Sequence, residues 1–491
     1  MINDDQIFKL IGPNIYWLGL DENVNPSPSY PSQSRILEAL ATAALMGSTV
    51  VRSTTLGISV GHQLSVWPSL NSTNQEALKV IGFTISAAQR YGLKLIIPLT
   101  DQYDYYHGGY KTFLRWRNLS DSSESVFYDT KSVVHQDFLS YISVLLNYIN
   151  PYTNLAIKDD PTVLIWETGN ELSKPAKRWT ESVSNHIHQL APNQFVASGR
   201  YGLDKDDLKI SSIDAVTNHF YPPRTDHFHS DSKLAAKYNK VYYAGEFDWS
   251  GRSKAWGQLG WVLIPVSLSI LILFLGKKLF PIRINWKPDS KDRYTTSNSK
   301  NLGVNKNFNT DLHARQCSPS PSRFNLIADN QNNPKDRSIL IQQHHVSIFL
   351  LIFVVPLTVC IIYFSSIQYT GLETFLNGAE SNQDSSGDLF WSLFGHDDQC
   401  CDWVEHSDGY TLHYPGKTND ERGSVARLIE HNYKMRSLMN PKSSSNKPSN
   451  NFDSNQLSIK TNKMNFKLQT RDDWFSFGSL VNLNCSQSLN L

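Results

Sequence analysis

The stretch GDLFWSLFG, residues 387–395, is apolar, aromatic and bounded by glycines. Those are the marks of a short buried strand. It decides the fold because of what stands before it. Residues 1–255 contain runs of the same kind: NIYWLGL (14–20), TVVRSTT (49–55), LKLIIPLT (93–100), TVLIWETGNE (162–171), FVASG (195–199), AVTNHFY (215–221) and VYYAGEF (241–247). Amphipathic segments such as SRILEALATAALMG (34–47) and HQDFLSYISVLLNYI (135–149) lie between several of them. Near-continuous apolar strands alternating with helices indicate a parallel sheet covered on both faces. Seven such strands leave a barrel open, and GDLFWSLFG closes it. GLETFLNGAES (371–381) reads as the helix before this strand and ERGSVARLIEHNYKMRSL (421–438) as the helix after it. The expected fold class is therefore α/β, a (β/α)8 TIM barrel with strands 1–7 in residues 1–255 and its completion in 366–438.

The barrel pattern is interrupted after strand 7. LGWVLIPVSLSILILFL (259–275) and VSIFLLIFVVPLTVCIIYF (346–364) carry no charged residue, and each is about long enough to cross a bilayer as a helix. Buried core helices are the alternative. Flanking Trp256, Trp261 and Tyr363 and the abrupt Lys277–Lys278 pair favour a membrane hairpin over 256–365, with helices at about 257–276 and 345–365. Residues 276–345 between them hold twelve Lys/Arg against five Asp/Glu, whereas 365–391 hold no Lys or Arg. The positive-inside rule then places loop 276–345 in the cytoplasm and the barrel on the extracellular or lumenal side. The sequons at Asn71, Asn118 and Asn484 flank the spans and agree with this orientation. The loop, rich in Asn, Ser, Lys and Asp, reads as disordered, and 439–491 as a polar tail in which DDWFSFGSLVNL (472–483) has strand character.

Bulk properties narrow the function. At 491 residues the chain exceeds one ordinary domain, and its net charge of +1 gives no electrostatic basis for a nucleic-acid partner. The five cysteines show neither zinc-ligand spacing nor a dense disulfide framework. The N-terminus MINDDQIFKL shows no signal peptide, so either a segment is missing upstream or the first span directs translocation; a missing segment is the expectation.

Barrel enzymes carry their chemistry at the C-terminal ends of the strands. Those ends present Arg52, Asp101, Asn170 with Glu171, His219 with Tyr221, Glu246 and Trp391. Two carboxylates, Glu171 on strand 4 and Glu246 on strand 7, face one another across the mouth. Hydrolysis of a glycosidic bond needs that pairing: one acid to protonate the leaving oxygen and one carboxylate to attack the anomeric carbon. A strand-end glutamate taken singly is more often a solvated carboxylate. Glu167, four residues before Glu171, is expected on the same strand face but deeper, as a structural hydrogen-bonding group.

Several segments resemble glycoside hydrolase family 5 in its mannanase-like fungal members. WETGNEL (166–172) is similar to the acid/base motif, VYYAGEFDW (241–249) to the nucleophile strand, NHFY (218–221) to the His-x-Tyr of strand 6, and GDLFWSLFG to the Trp of strand 8. VVRSTTLGISVG (50–61) and PLTDQYDYYHGGYKTFLRW (98–116) resemble further segments in the same order. The resemblance implies a retaining hydrolase with Glu171 as acid/base, kept protonated by its neighbours, and Glu246 as nucleophile. It implies that Arg52 orients Glu246 and depresses its pKa, that Asn170 holds the sugar 2-hydroxyl, and that Trp391 floors the reacting sugar. Tyr221 would donate to Glu246, and His219 would meet the substrate or Glu171. Asp101, Tyr105, Tyr106, His107 and Trp116 are weaker candidates for flanking subsites. No metal or cofactor is required. The expected substrate is a β-1,4-linked mannan or related β-glycan. The same strand ends also serve β-glucanases and exo-acting β-glycosidases. A catalytically silent, membrane-anchored carbohydrate-binding protein is the reading from another class, and the two intact carboxylates argue against it. A transporter is disfavoured by spans that bury no charge.

Overall fold

The computed structural model describes residues 8–252, 371–398, 402–439, 457–461 and 464–468. The two apolar segments, the basic loop between them, all five cysteines, Asn484 and the stretch 472–483 lie outside the described residues. Among the described residues, no helix is long and apolar enough to cross a membrane. The chain divides into two compact units, and the one described below joins Met1–Leu259 to Gln368–Leu491.

Its elements run β1 (Leu10–Pro13), α1 (Gln33–Leu45), β2 (Val50–Arg52), α2 (Gln75–Arg90), β3 (Lys94–Pro98), α3 (Tyr110–Trp116), α4 (Glu124–Phe127) and α5 (Val133–Asn147). They continue with β4 (Val163–Glu167), α6 (Lys177–Leu190), β5 (Phe195–Ser198), β6 (Ala215–Phe220), α7 (Thr225–Lys237) and β7 (Val241–Asp248). Beyond the interruption come α8 (Leu372–Ser381), β8 (Gly387–Trp391), β9 (Leu393–Phe394), β10 (Leu412–His413) and α9 (Asn419–Ser437). The strands form one parallel eight-stranded sheet in the order β1-β8-β7-β6-β5-β4-β3-β2. Main-chain bonds from Thr49 N to Ile11 O (2.8 Å) and from Ile15 N to Arg52 O (2.9 Å) close β1 onto β2. The result is the expected (β/α)8 barrel. A small antiparallel hairpin, β11 (Leu457–Thr461) with β12 (Met464–Leu468), forms within the region expected to be a polar tail.

Sequence chemistry accounts for the element ends. Ser32, Asn74, Ser132 and Thr418 stand immediately before α1, α2, α5 and α9 and accept a backbone N–H from the first turn of each helix. Inside the barrel, Leu10, Val50, Ile96, Ile165, Ala197 and Tyr243 pack as one small cluster. The larger core lies between the sheet and its helices.

Strand 1 corrects the sequence reading. NIYWLGL is not β1; the strand is LIGP, four residues earlier. Gly12 fits there because an added Cβ would lie 2.1 Å from Val50 O on the neighbouring strand. Ile15, Trp17, Leu18 and Leu20 are apolar because they are buried in the connection after β1. Period-2 reasoning takes any short buried apolar run for a strand.

The segment after the interruption is joined firmly to the rest. His431 on α9 bonds Asp388 on β8 (3.1 Å) and Glu380 on α8 (3.0 Å), and the side chains of all three are buried. Asn432 donates to Met46 O just beyond α1 (2.8 Å). Burial alone would lower the His431 pKa, but the two carboxylates reverse this and hold it at about 9. The imidazolium therefore serves as a cationic clamp on the last strand.

Candidate active site

Arg52, at the end of β2, organises the mouth of the barrel. It is 1 % exposed, and its guanidinium reaches Glu167 (2.8 Å), Glu246 Oε1 (2.7 Å), Asn170 Oδ1 (2.7 Å) and Asn14 Oδ1 (3.1 Å). Glu167 also accepts the Tyr243 hydroxyl at 2.6 Å and is wholly buried. It thus sits below the mouth as the deeper anion that holds Arg52. Asn170 donates to Asp101 Oδ1 (3.2 Å), and Asp101 bonds His107 Nε2 (3.1 Å). Asp101 lines the cavity but spends its carboxylate on positioning Asn170.

Two local departures from regular strand geometry aim the glutamates. Tyr243 packs inside the barrel and Phe247, four residues on, packs outside it, so the alternation changes phase between them. The β7–β8 register shifts between Ala244 and Phe247, and the β6–β7 register between Asn218 and His219. These irregularities bring Glu246 opposite His219 and turn its carboxylate into the mouth. Gly245 permits this, because a Cβ there would lie 2.6 Å from Thr217 Oγ1 and 2.7 Å from His219 Nε2. On the other side, β4 ends at Glu167, so Glu171 does not continue its face as simple alternation implied. Glu171 instead takes a left-handed backbone with φ 52°, uncommon for a residue with a side chain, in the turn beyond Asn170.

The two glutamates meet through His219. Its Nδ1 lies 2.6 Å from Glu171 Oε1 and 3.5 Å from Glu246 Oε1. An oxygen of each glutamate and a ring nitrogen of His219 all lie within 4.8 Å of one another. Tyr221 donates to Glu246 Oε2 (2.8 Å), and Tyr103 donates to Glu171 Oε2 (2.8 Å). Among the described residues this is the only trio that could close on a metal ion. Arg52 and Tyr221 already occupy Glu246, and His219 and Tyr103 already occupy Glu171. A donor set so committed to protons fits acid–base work rather than metal binding.

The charge balance runs against two expectations. Burial pushes Glu171 up, but the His219 bond and charge, the Tyr103 hydroxyl and Arg52 outweigh it and leave the carboxyl below its usual range. Burial would lower His219, and the charges of Glu246 and Glu171 reverse this, so the ring is raised. Burial carries Glu246 above the usual range although His219 and Arg52 oppose it, and the charge of Glu171 adds to burial. The directions are thus the reverse of those expected: the bonds from His219 and Tyr103 lower Glu171, and desolvation outweighs His219 and Arg52 at Glu246.

Trp391, half-buried at the end of β8, stacks on Tyr16 (ring centres 5.3 Å apart, planes 10° apart). Its indole N–H donates to Asp408 Oδ2 at 2.8 Å. It lines one wall of a cavity of about 310 Å³ that contains both glutamates, Asn170, Tyr221 and Tyr106. Tyr106 ties its hydroxyl to Leu20 O (2.8 Å), and Tyr105 and His107 also line the cavity. Trp116 is a correction. It packs against Phe113 (5.3 Å) and Trp67 (6.2 Å), because α3 turns that face toward the core, and it does not line the cavity. Sequence reasoning missed Tyr103, Tyr16, Glu22, His406 and Asp408, all of which line the cavity from irregular connections. Tyr103 alone had a local signal, as part of the aromatic run YDYYH (103–107).

The description "GH family 5 beta-mannosidase-like" matches residues 6–249. Over those residues the chain is similar to the mannosidase-like members of glycoside hydrolase family 5. Among curated relatives, mannan endo-1,4-beta-mannosidase 7 of Arabidopsis thaliana is 30% identical over 241 residues, covering 43% of this chain and 54% of the relative. Putative mannan endo-1,4-beta-mannosidase 5 of Oryza sativa subsp. japonica is 28% identical over 235 residues, covering 43% and 46%. The chain thus spans about half the length of the curated relatives it matches. Among solved structures, the endo-1,4-beta-D-mannanase of Thermotoga petrophila aligns with a TM-score of 0.53 at 16% identity, over 87% of this chain and 99% of that one. A glycoside hydrolase family 5 mannosidase from Rhizomucor miehei aligns with a TM-score of 0.55 at 15% identity, over 90% and 96%. These structural likenesses speak to the barrel fold. The family match ends at residue 249, and strand β8 with Trp391 joins the matched strands in the closed sheet.

Proposed function

We propose that this protein is a retaining glycoside hydrolase of family 5 acting on β-1,4-linked mannan or a closely related β-glycan. The observation that carries the reading is the pair Glu171 and Glu246, with oxygens within 4.8 Å of one another. Carboxyl groups about 5 Å apart suit direct attack on the anomeric carbon, whereas inverting enzymes leave ~6.5–9.5 Å for a water. Glu246, fixed by Arg52 and Tyr221, attacks the sugar and forms a glycosyl-enzyme ester. Glu171 passes to the leaving oxygen the proton that it shares with His219, and in the second step recovers a proton from the attacking water. Asn170, held by Arg52 and Asp101, addresses the 2-hydroxyl, and Trp391 floors the sugar. The mannan preference rests on the named relatives.

The reading is tested with purified protein and a panel of mannan, glucan and xylan oligosaccharides, following the first-formed anomer by proton NMR. The expected result is cleavage of a β-mannan substrate with the β anomer appearing first. No cleavage above a Glu171→Gln/Glu246→Gln control would remove the enzymatic reading and leave a carbohydrate-binding barrel.

We further propose that segments 259–275 and 346–364 anchor the protein in a membrane, with the barrel on the extracellular or lumenal side and loop 276–345 in the cytoplasm. Their charge-free composition and the basic loop support this. Asn71 and Asn118 sit exposed in the described barrel, as glycan acceptors would. Expressed in a secretory system, the protein should lose apparent mass on treatment with an N-glycan-cleaving enzyme, and Asn71→Gln/Asn118→Gln should lose less. A protease site in 285–335 open to the outside of intact cells would reverse the orientation.

A further inference from the structure

Three large rings stand in solvent around Glu171: Tyr103 at 41% exposure, Tyr105 at 55% and Tyr201 at 61%. Tyr103 and Tyr105 lie on the connection after β3, with ring centres 5.4 Å apart and planes tilted by 36°. Tyr201 follows β5, and its backbone N–H donates to Leu172 O (2.9 Å), next to Glu171 in the chain. In a barrel whose other large aromatics are mostly buried, this grouping leaves apolar surface unpaired on one side of the mouth. The acid/base residue necessarily faces the departing part of a glycan, so these rings flank the leaving-group side.

One of the three also bonds the acid. The Tyr103 hydroxyl donates to Glu171 Oε2 at 2.8 Å, while Oε1 is taken by His219. We infer that Tyr103 is a positioning residue that couples binding of the leaving-group sugar to acid catalysis: its ring receives that sugar and its hydroxyl stabilises the Glu171 carboxylate. The inference rests on the hydrolase reading above.

As Glu171 gives up its proton, negative charge grows on both of its oxygens. A donor already in place gains strength as the charge develops, which is stabilisation of the transition state rather than of the bound substrate. The apolar C–H face of a pyranose stacked on Tyr103 and Tyr105 also excludes water from this hydrogen bond and strengthens it. A glycan long enough to cover both rings is thus expected to turn over faster as well as bind more tightly. That property suits cleavage within a chain.

The groups facing Glu171 from each neighbouring element are His219 on β6, Arg52 on β2, Glu246 on β7, Tyr221 after β6, and Tyr105 and Tyr201 on the flanking loops. Removing only the Tyr103 hydroxyl leaves all of them in place. In Tyr103→Phe the carboxylate is less stabilised, so the Glu171 pKa rises. The acid then stays protonated to higher pH, and the basic limb of kcat/KM moves upward by about half a unit to one unit. For an exposed donor, kcat on a manno-oligosaccharide falls about three- to tenfold. KM is unchanged because the ring remains. On an aryl glycoside whose leaving group departs without a proton, kcat/KM changes less than about twofold. Tyr103→Leu removes the ring as well and raises KM for the oligosaccharide.

A merely structural Tyr103 would lower both substrates alike without moving the pH limb, and that result overturns the proposal. A direct titration separates it from the hydrolase reading. With carbon-13 glutamate in the full-length protein and Glu171→Gln identifying the signal, Tyr103→Phe should raise the Glu171 midpoint by about half a unit or more. An unmoved midpoint refutes the coupling whatever the substrate. A moved midpoint in a protein inert toward every glycan would count against hydrolysis alone.

Discussion

Glu246→Gln is expected to reduce turnover on the order of 10⁴-fold or more while leaving the barrel folded. Removal of an attacking group costs this much because binding and electrostatics alone cannot form the covalent intermediate. The amide keeps the size of the carboxylate, and its oxygen still accepts from Arg52 or Tyr221, whose bonds to Glu246 are 2.7 Å and 2.8 Å. Arg52 also keeps Glu167 as its deeper anion. Thermal unfolding should therefore change little, which separates a lost nucleophile from a lost fold. A second result follows from stereochemistry. In Glu246→Ala, azide or formate can enter the space left by the carboxylate and attack an activated β-glycoside from the same side. The product is then an α-adduct, opposite to the wild-type product. Chromatographic recovery of an α-glycosyl azide from the variant is the check; a β-adduct or full wild-type turnover would show that Glu246 is not the attacking group.

Arg52→Met should cost both stability and activity. Arg52 is 1 % exposed and pairs with two carboxylates, Glu167 at 0 % and Glu246 at 8 % side-chain exposure. Removing the cation leaves two buried anions that repel one another. Breaking such a pair typically costs about 3–5 kcal/mol. For a domain of this size that is a fall in melting temperature on the order of 10 °C. Arg52→Lys should recover only part of it, since a single ammonium cannot reproduce the fork that spans both glutamates. Adding Glu167→Gln to Arg52→Met should restore stability beyond additivity, because one of the stranded charges disappears.

The pH dependence carries its own sign. Arg52 is among the groups that lower Glu246 against burial. Without it the nucleophile pKa rises, the ionised fraction falls first at low pH, and the acidic limb of kcat/KM moves upward. Activity at pH 5 should thus suffer more than activity at pH 7. Calorimetry and a pH–rate profile check the two parts, and an Arg52→Met protein with wild-type melting and an unmoved acidic limb would contradict this account of the mouth.

Much of this arrangement is legible in the sequence because periodicity records burial. β3, β6 and β7 lie within about two residues of the apolar runs that predict them, and α8 and α9 follow the segments expected from 371–381 and 421–438. The same logic misplaces β1, since NIYWLGL is buried without being a strand. The strand ends locate Arg52, Asn170, Glu171, His219, Tyr221, Glu246 and Trp391, and the structure brings all seven together. Pairwise chemistry is less visible. Nothing local in VYYAGEFDW announces the phase change that turns Glu246 inward, although Gly245 marks where it is sterically possible. Charge direction is not legible at all, because burial and the His219 bond oppose each other at Glu171 and only their distances decide which prevails. The loop residues that surround Trp391 and Glu171, Tyr16, Asp408 and Tyr103, follow no period, and their positions come from connections that only the closed fold determines.

The central claim is a covalent intermediate on Glu246, and a 2-deoxy-2-fluoro β-mannoside with an activated leaving group tests it most directly. The fluorine slows both steps, and the good leaving group restores the first, so the ester accumulates. Mass spectrometry of the intact protein should show the addition of one fluoroglycosyl group, and peptide sequencing should place it on Glu246 within VYYAGEFDW. An adduct on Glu171, or no adduct from a preparation that hydrolyses the parent glycan, would contradict the account.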